Sequence, residues 1–348
     1  MTTLSAVRAV LPKHVYPQEQ LSAEFAELCL EDPSKHKVMA RLHQSAKVDT
    51  RHLALPIEAY RDLDGFTDAN TAFIDVAVEL GSEAVLGALE DAGLTPSDVD
   101  IIVSTTVTGI AVPSLEARIA ARIGLRPDVK RVPMMGLGCL AGAAGIARLH
   151  DFLRGGPDDV AVLVSVELCS LTVQRNDPSA ANMVASGLFG DGASAVVARG
   201  GDRPGPKVID TVSHLYPDTE RAMGWDVGAT GFQIVLGSEV PELVHRYLRA
   251  DVEGFLAPHG LTAADISRWI CHPGGPKVIE AIQDELGLTE YDLGMTWDSL
   301  RRIGNLSSSS VLHVFADTLR ERPATEGDWG VLMAMGPGFC AELVLLRW

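Results

Sequence analysis

The feature of this chain that most restricts its fold is an internal echo. The segments "EDAGLTPSDVDIIVSTT" and "LAPHGLTAADISRWICHP" share one grammar: a helix closed by Gly93 or Gly260, then Leu-Thr, an acidic residue at Asp98 or Asp265, and an apolar strand. A glycine after a helix supplies the left-handed conformation that ends it. The short apolar runs that follow suit buried parallel strands. The two glycines stand 167 residues apart in a chain of 348, so the echo recurs after about half the length and predicts two similar α/β halves. We place the boundary between residues 205 and 206, giving halves 1–205 and 206–348. A chain this long, 47% hydrophobic, can bury more than one minimal core.

Further segments fit the same scheme. "VAVLVSVEL" (160–168) is a continuous apolar run, "ASAVVARG" follows the turn "LFGDG", and "WGVLMAM" and "CAELVLLRW" flank "GPGF". Helical patterns at about 75–92, 140–154, 241–256 and 309–321 alternate with them. The expected class is a layered α/β fold.

Charge and composition narrow the partners. A net charge of -17 disfavours nucleic acid, whose binding draws on clustered Lys and Arg. A phosphate-bearing ligand would need a local patch, and "KHKVMARLHQSAKVDTRH", with Lys35, Lys37, Arg41, Lys47 and Arg51, is the densest basic stretch. No apolar run reaches the roughly 20 residues that span a bilayer, and the first residues lack the pattern of a secretory leader. The expected setting is cytoplasmic, without membrane contact. Five scattered cysteines (Cys29, Cys139, Cys169, Cys271, Cys340) with no CxxC spacing predict free thiols and no structural zinc.

One thiol stands out. Cys139 lies in "VPMMGLGCLAGAAGIARLHDFL", between a strand pattern and a helix whose small residues sacrifice packing and propensity. Small residues permit close approach of neighbouring layers, and a thiol at a helix N-terminus is biased toward the thiolate. His272 in "ICHPGGPKVIEAI" stands at a strand-to-helix corner, where α/β folds place their sites. Asn305 lies in "GNLSSSSVLHVF", ahead of another helix. Each has an ordinary structural explanation alone: a small core thiol, a structural imidazole, a turn and helix cap.

Their joint order is what carries weight. The succession "GLGCLAGAAG", "GLFGDGASAV", "CHPGGPKVIEAI", "GNLSSSSV", "GPGFCAELVL" resembles the type III polyketide synthases, the chalcone synthase-like family, over essentially the whole chain. The resemblance implies a thiolase-like duplicated αβαβα fold and a homodimer. It implies an acyltransferase with Cys139 as nucleophile toward an acyl-coenzyme A, and with His272 and Asn305 holding the malonyl-CoA carbonyl during loss of carbon dioxide. Donors aimed at one developing oxyanion are worth about 3 kcal/mol each in comparable sites. Coenzyme A thioesters are then substrates, and no metal or other cofactor is expected.

The same resemblance makes Phe189 an aromatic gatekeeper and sets Gly336, Pro337 and Gly338 in a loop that shapes the cavity. Thr172 and Ser307 join the candidate substrate contacts, and Lys47 and Arg51 are candidates for coenzyme A phosphates. Val112 in "GIAVPS" matches a residue that crosses the family's dimer interface.

Several positions depart from the plant pattern. Ile234 stands where a second gatekeeper phenylalanine is expected, with Phe232 two residues earlier, and Trp225 replaces a small glycine. Val107 and Cys169 occupy places of cavity-lining threonines. Bacterial makers of tetrahydroxynaphthalene share the cysteine at 169 but carry another where Val107 stands, which disfavours a malonyl-primed pentaketide. Fewer hydroxyls and more aliphatic surface suit an alkyl starter, since a buried phenol without a partner loses about 1 kcal/mol or more. The expected product is an alkyl-α-pyrone, or a resorcinol, made from an aliphatic starter and malonyl-CoA, with an acyl carrier protein as alternative donor. The competing expectation is a single-round condensing enzyme like ketoacyl carrier protein synthase III, which shares the Cys, His and Asn set.

Overall fold

The computed structural model describes residues Met1–Trp348. Nine strands form one mixed sheet whose spatial order is Ile266–Cys271, Trp329–Gly336, Cys340–Arg347, Lys207–Leu215, Thr2–Val10, Asp191–Gly200, Val160–Leu168, Ile101–Thr105 and Lys130–Met134. The first four belong to the C-terminal half and the last five to the N-terminal half. Outward from the centre, each half repeats the same succession, its first strand innermost. A short stretch joins the halves edge to edge: Thr2 lies opposite Val208, Thr3 opposite Lys207, and the Leu4 N–H donates to the Pro206 carbonyl at 2.9 Å.

Alternation along the strands turns this sheet into five layers. Ile101, Val103, Ala161 and Leu163 share a core with Leu332, Ala334, Val344 and Leu346, although the two groups belong to different halves. Between them lie the helices Ala141–Gly155 and Ser310–Glu321, which contribute Ala143, Ile146, Leu149, Val311, Leu312 and Phe315 to that core. The intervening residues point outward: Ile102, Val162 and Val164 against Phe73, Ala77 and Ala84 of the helix Gly65–Asp91, and Val331, Met333 and Leu345 against Val244 and Leu248 of Val240–Leu256 and Ile279 of Pro276–Leu286. Strands buried on both faces have no polar phase, hence the unbroken run at 160–168. The layers are α, β, α, β, α.

The echo is structural as well as textual. Gly93 and Gly260 take φ of 66° and 69°, and Thr95 with Asp98, like Thr262 with Asp265, closes a reciprocal capping box after each. The first long helix begins at Gly65, ten residues before its apolar periodicity becomes readable. Its polar opening turns are tied down by Asn70, whose amide pairs with both backbone groups of Ile110 at 2.8 Å. A two-stranded hairpin, Met223–Gly228 with Gly231–Leu236, was not foreseen; it sets Trp225 directly opposite Ile234.

The small residues after Cys139 have a steric cause. A Cβ on Gly142 would stand 2.3 Å from the Ser308 carbonyl oxygen and 2.8 Å from Val311, so the two central helices meet backbone to side chain at this point. Gly155, at the other end of the same helix, faces open space. Gly155→Ala is therefore expected to stabilise the protein by up to about 1 kcal/mol through chain entropy and helix propensity, while Gly142→Ala loses about 1–3 kcal/mol by overpacking. Denaturant midpoints for the two variants, moving in opposite directions, check this.

Candidate active site

A cavity of about 470 Å³ opens between the halves, and Cys139, His272, Asn305 and Phe189 all line it. Three separate chain turns deliver the first three. Cys139 sits in the short 3-10 turn Gly138–Leu140, just ahead of the central helix Ala141–Gly155. His272 is the first residue beyond the strand Ile266–Cys271. Asn305 precedes the turn Ser307–Ser309 that leads into the second central helix.

A chain of contacts links them. The Cys139 Sγ stands 3.7 Å from the Ser307 Oγ. The Ser307 N–H donates to Asn305 Oδ1 at 2.8 Å, which fixes the orientation of the carboxamide, and Asn305 Nδ2 donates to the Gly274 carbonyl at 3.2 Å. Gly274 N–H in turn donates to the His272 carbonyl at 2.9 Å. Asn305 keeps one amide hydrogen uncommitted. Both His272 ring nitrogens are buried without any hydrogen-bond partner, a costly state for a polar group unless something else comes to meet it.

Desolvation dominates the protonation states. Burial pushes the Cys139 thiol up to about 12, against a smaller opposing effect of the Ser307 contact, and nearby Glu167 adds to the rise. Burial alone brings His272 down to about 3. The bias toward a resting thiolate, expected from the sequence, is thus corrected to a neutral thiol beside a neutral imidazole. The reason is that burial outweighs the dipole of a helix that begins only at Ala141. A neutral imidazole offers one donor and one acceptor, which suits it to take the thiol proton or to hold a carbonyl.

The remaining wall residues separate into two groups. Val107, Cys169, Thr172, Trp225, Ile234, Ser307 and Pro337 line the cavity. Phe232 lies behind this wall, edge-on to Phe66 at 5.5 Å and tilted against Trp225 at 5.9 Å. Gly336 and Gly338 do not line the cavity, which corrects their assignment as wall residues. Gly336 lets the loop press on the nucleophile turn, where a Cβ would come within 2.8 Å of the Leu137 carbonyl oxygen, and Pro337 packs against Gly138.

Of the two phosphate candidates, Arg51 is corrected. Arg51 is 1% exposed; its guanidinium donates to the carbonyls of Ser186 (2.6 Å) and Phe189 (2.8 Å) and to Gln18 Oε1 (2.9 Å), so it braces the gatekeeper turn from inside. Lys47 is exposed but pairs with Glu280 at 3.1 Å, lies over the Trp297 ring, and does not line the cavity.

Sequence reasoning missed Glu167. This buried carboxylate accepts from Ser308 Oγ (2.5 Å), Thr108 Oγ1 (2.8 Å) and the Val107 N–H (3.1 Å), clamping the Val107 turn to the serine turn beside Cys139. Burial raises its pKa. It stands in the run "VAVLVSVELC", where a charge among apolar residues was the available signal. Asp191 is comparable: it accepts from the N–H groups of Ser170 (2.8 Å) and Ala54 (2.6 Å), and burial raises it to about 6.

With this geometry established, the relatives are informative. Residues 1–202 match the family model of chalcone and stilbene synthases, N-terminal domain, and residues 207–348 match the C-terminal domain. A 1,3,6,8-tetrahydroxynaphthalene synthase of Streptomyces peucetius subsp. caesius is 56% identical over 100% of this chain and 93% of its own. A putative chalcone synthase of Bacillus subtilis (strain 168) is 34% identical over 100% and 99%. The crystal structure of the tetrahydroxynaphthalene synthase of Streptomyces coelicolor A3(2), a bacterial type III polyketide synthase, superposes with a TM-score of 0.94 at 32% identity, covering 99% of each chain. The fold and the cavity define a condensing acyltransferase of thiolase-like architecture. The chain belongs to the chalcone and stilbene synthase family, the type III polyketide synthases. No helix is long and apolar enough to cross a membrane.

Burial also makes the fold sensitive to acid. His272, held near 3, and His43 and His313, each brought down to about 4 mainly by burial, remain neutral in the folded state below the pH at which unfolded histidine protonates. Stability is complete above about pH 6.5 and falls as pH drops toward these values, by about 1.4 kcal/mol per pH unit for each histidine. His272→Gln is expected to lower the proton uptake on unfolding by close to one proton between pH 6 and 4.5, read from the pH dependence of denaturant unfolding.

Proposed function

We propose that Cys139 carries the growing acyl chain and that His272 and Asn305 together bind the thioester carbonyl of the malonyl unit. The observation that carries this reading is the buried His272 ring, with both nitrogens unpartnered, in the cavity that also holds the Cys139 thiol and an uncommitted Asn305 N–H. His272 accepts the thiol proton as Cys139 attacks the starter thioester, and coenzyme A leaves. A malonyl thioester then loses carbon dioxide, and the electron pair of the broken C–C bond becomes an enolate held by the His272 and Asn305 donors. The enolate carbon attacks the acyl-Cys139 carbonyl, the C–S bond to Cys139 breaks, and the chain is two carbons longer. No carboxylate base is required. Transfer of that chain back to Cys139 allows another round, until intramolecular attack closes a ring.

For the starter, the wall supports an aliphatic acyl group, with an alkyl-α-pyrone or resorcinol as product. Val107, Val173, Val184, Leu188, Ile234 and Leu236 supply apolar lining of the cavity that holds Cys139. A second reading, a malonyl-primed pentaketide, is favoured by the 56% identity to the Streptomyces peucetius enzyme, and Val107 argues against it. The catalytic unit is proposed to be a homodimer: Val112 is 89% exposed on a single chain and matches the family's interface-crossing position.

Two experiments test these points. Cys139→Ala is expected to abolish ketide formation while carbon dioxide is still released from malonyl-CoA, and Asn305→Ala to slow that release about 10²–10³-fold. Release unaffected by Asn305→Ala would contradict the assigned role. Purified enzyme given malonyl-CoA with hexanoyl- or octanoyl-CoA should yield alkylpyrone by mass spectrometry. Tetrahydroxynaphthalene from malonyl-CoA alone, with no alkyl product, would replace the aliphatic reading with the pentaketide.

A further inference from the structure

Two turns from different halves meet at the cavity wall. One follows the helix Ala180–Leu188 and carries Phe189, and the other follows the helix Gly294–Ile303 and carries Asn305. Phe189 and Asn305 form an isolated parallel bridge outside the sheets. The Asn305 N–H donates to the Leu188 carbonyl and the Gly190 N–H to the Asn305 carbonyl, both at 2.9 Å. A Cβ on Gly190 would come within 2.6 Å of the Ile303 carbonyl oxygen, and one on Gly304 within 2.7 Å of the Leu188 carbonyl oxygen, so each turn gives up a side chain to reach the other. One pair of backbone bonds, with no neighbouring strand to extend it, leaves the two turns free to slip unless something else holds them.

A tripeptide of the N-terminal half supplies that hold from behind. The last carbonyls of a helix have no partner within it. At the end of Gly294–Ile303, the Asp49 N–H donates to the Arg301 carbonyl at 2.7 Å and the Thr50 hydroxyl to the Arg302 carbonyl at 2.5 Å. The next residue, Arg51, turns to the other helix end: besides its bonds to the Ser186 and Phe189 carbonyls, it reaches Gln18, whose Nε2 donates to the Gly187 carbonyl at 2.6 Å. The Arg51 stem packs on Gly304, where a Cβ would stand 3.4 Å from its Cγ and Cδ. As a stabilising device this is poor, because the guanidinium is buried and its Nη2 has no partner. What the planar fork does supply is fixed geometry, which a lysine ammonium does not.

We infer that Arg51, seated on the strap Asp49–Arg51, is a positioning residue that keeps the Phe189 and Asn305 turns in register and thereby governs loss of carbon dioxide from the malonyl unit separately from acylation of Cys139. This rests on the proposed role of Asn305 and adds what sets its position. The separation follows from the fold. Acylation draws on Cys139 and His272, which are placed by the packing at Gly142 and by the strand Ile266–Cys271, not by the strap.

The test measures two partial reactions in one preparation: acylation of Cys139 by hexanoyl-CoA, followed by intact mass, and carbon dioxide release from malonyl-CoA. Partly unfolded protein loses both in proportion, so the ratio of the two rates reports position rather than folded fraction. Arg51→Met is expected to lower release relative to acylation about 10–100-fold, the range that a small misplacement costs, and Arg51→Lys to recover part of it. Thr50→Val, which removes a hydroxyl outside the cavity lining, should lower the ratio by a smaller factor. In an Asn305→Ala background, Arg51→Met should cost less than it does alone, since part of its effect passes through the group already removed. An unchanged ratio in Arg51→Met, or an undiminished loss in the Asn305→Ala background, overturns the inference. If the Arg51 variants do not fold, Thr50→Val decides: a lowered ratio supports the inference and a wild-type ratio overturns it. Wild-type enzyme that took up no acyl group and released no carbon dioxide would instead refute the proposed function.

Discussion

The contact on which the site depends is the one between the first central helix and the turn that opens the second, where Gly142 lies against the Ser308 carbonyl. Each central helix is preceded by a functional turn: Cys139 before one, and Asn305 and Ser307 before the other. Because nothing larger than hydrogen fits at Gly142, the two turns come close enough for the Cys139 sulfur to reach Ser307. Ser307 then orients Asn305, and the Gly274 turn joins His272 to the same group. The site is therefore a product of duplication. Each half contributes a helix to the shared middle layer, and the chemistry lies where the leading ends of those helices converge.

That middle layer also explains the electrostatics. Both groups are enclosed by protein, so isolated charges are expensive there and both the thiol and the imidazole rest neutral. Reactivity then waits for substrate: the His272 ring has no hydrogen-bond partner within the protein, and a thioester carbonyl or the thiol proton supplies one. The buried polar groups Arg51, Glu167 and Asp191 are each surrounded by several hydrogen-bonding partners and brace the turns around the cavity.

Much of the fold was legible in the sequence because it rests on local rules. The repeated Gly, Leu-Thr and Asp punctuation appears as matched left-handed glycines and capping boxes, and the unbroken apolar runs are strands covered on both faces. Local pattern was weaker where structure depends on long-range pairing. The hairpin at 223–236 has one strand, Met223–Gly228, that is largely solvent-facing and interrupted by glycine, so no alternation announced it. For the site, the order of motifs brought Cys139, His272, Asn305 and Phe189 to one cavity. The resemblance, joined to local charge, misassigned Arg51: a basic residue in a basic stretch looks like surface, and only the fold shows that carbonyls from the gatekeeper turn enclose it. Glu167 was missed for the converse reason, since a lone acid in a strand acquires meaning only through the serine turn that comes from the other half.

The most direct test of the account is to locate the acyl group itself. Wild-type enzyme incubated with an acyl-CoA starter in the absence of malonyl-CoA, digested and mapped by mass spectrometry, should carry one acyl mass on the peptide containing Cys139, and Asn305→Ala should still acquire it. An acyl group found instead on Cys169, the other thiol lining the cavity, would contradict the placement of the reacting centre at the meeting of the two central helices.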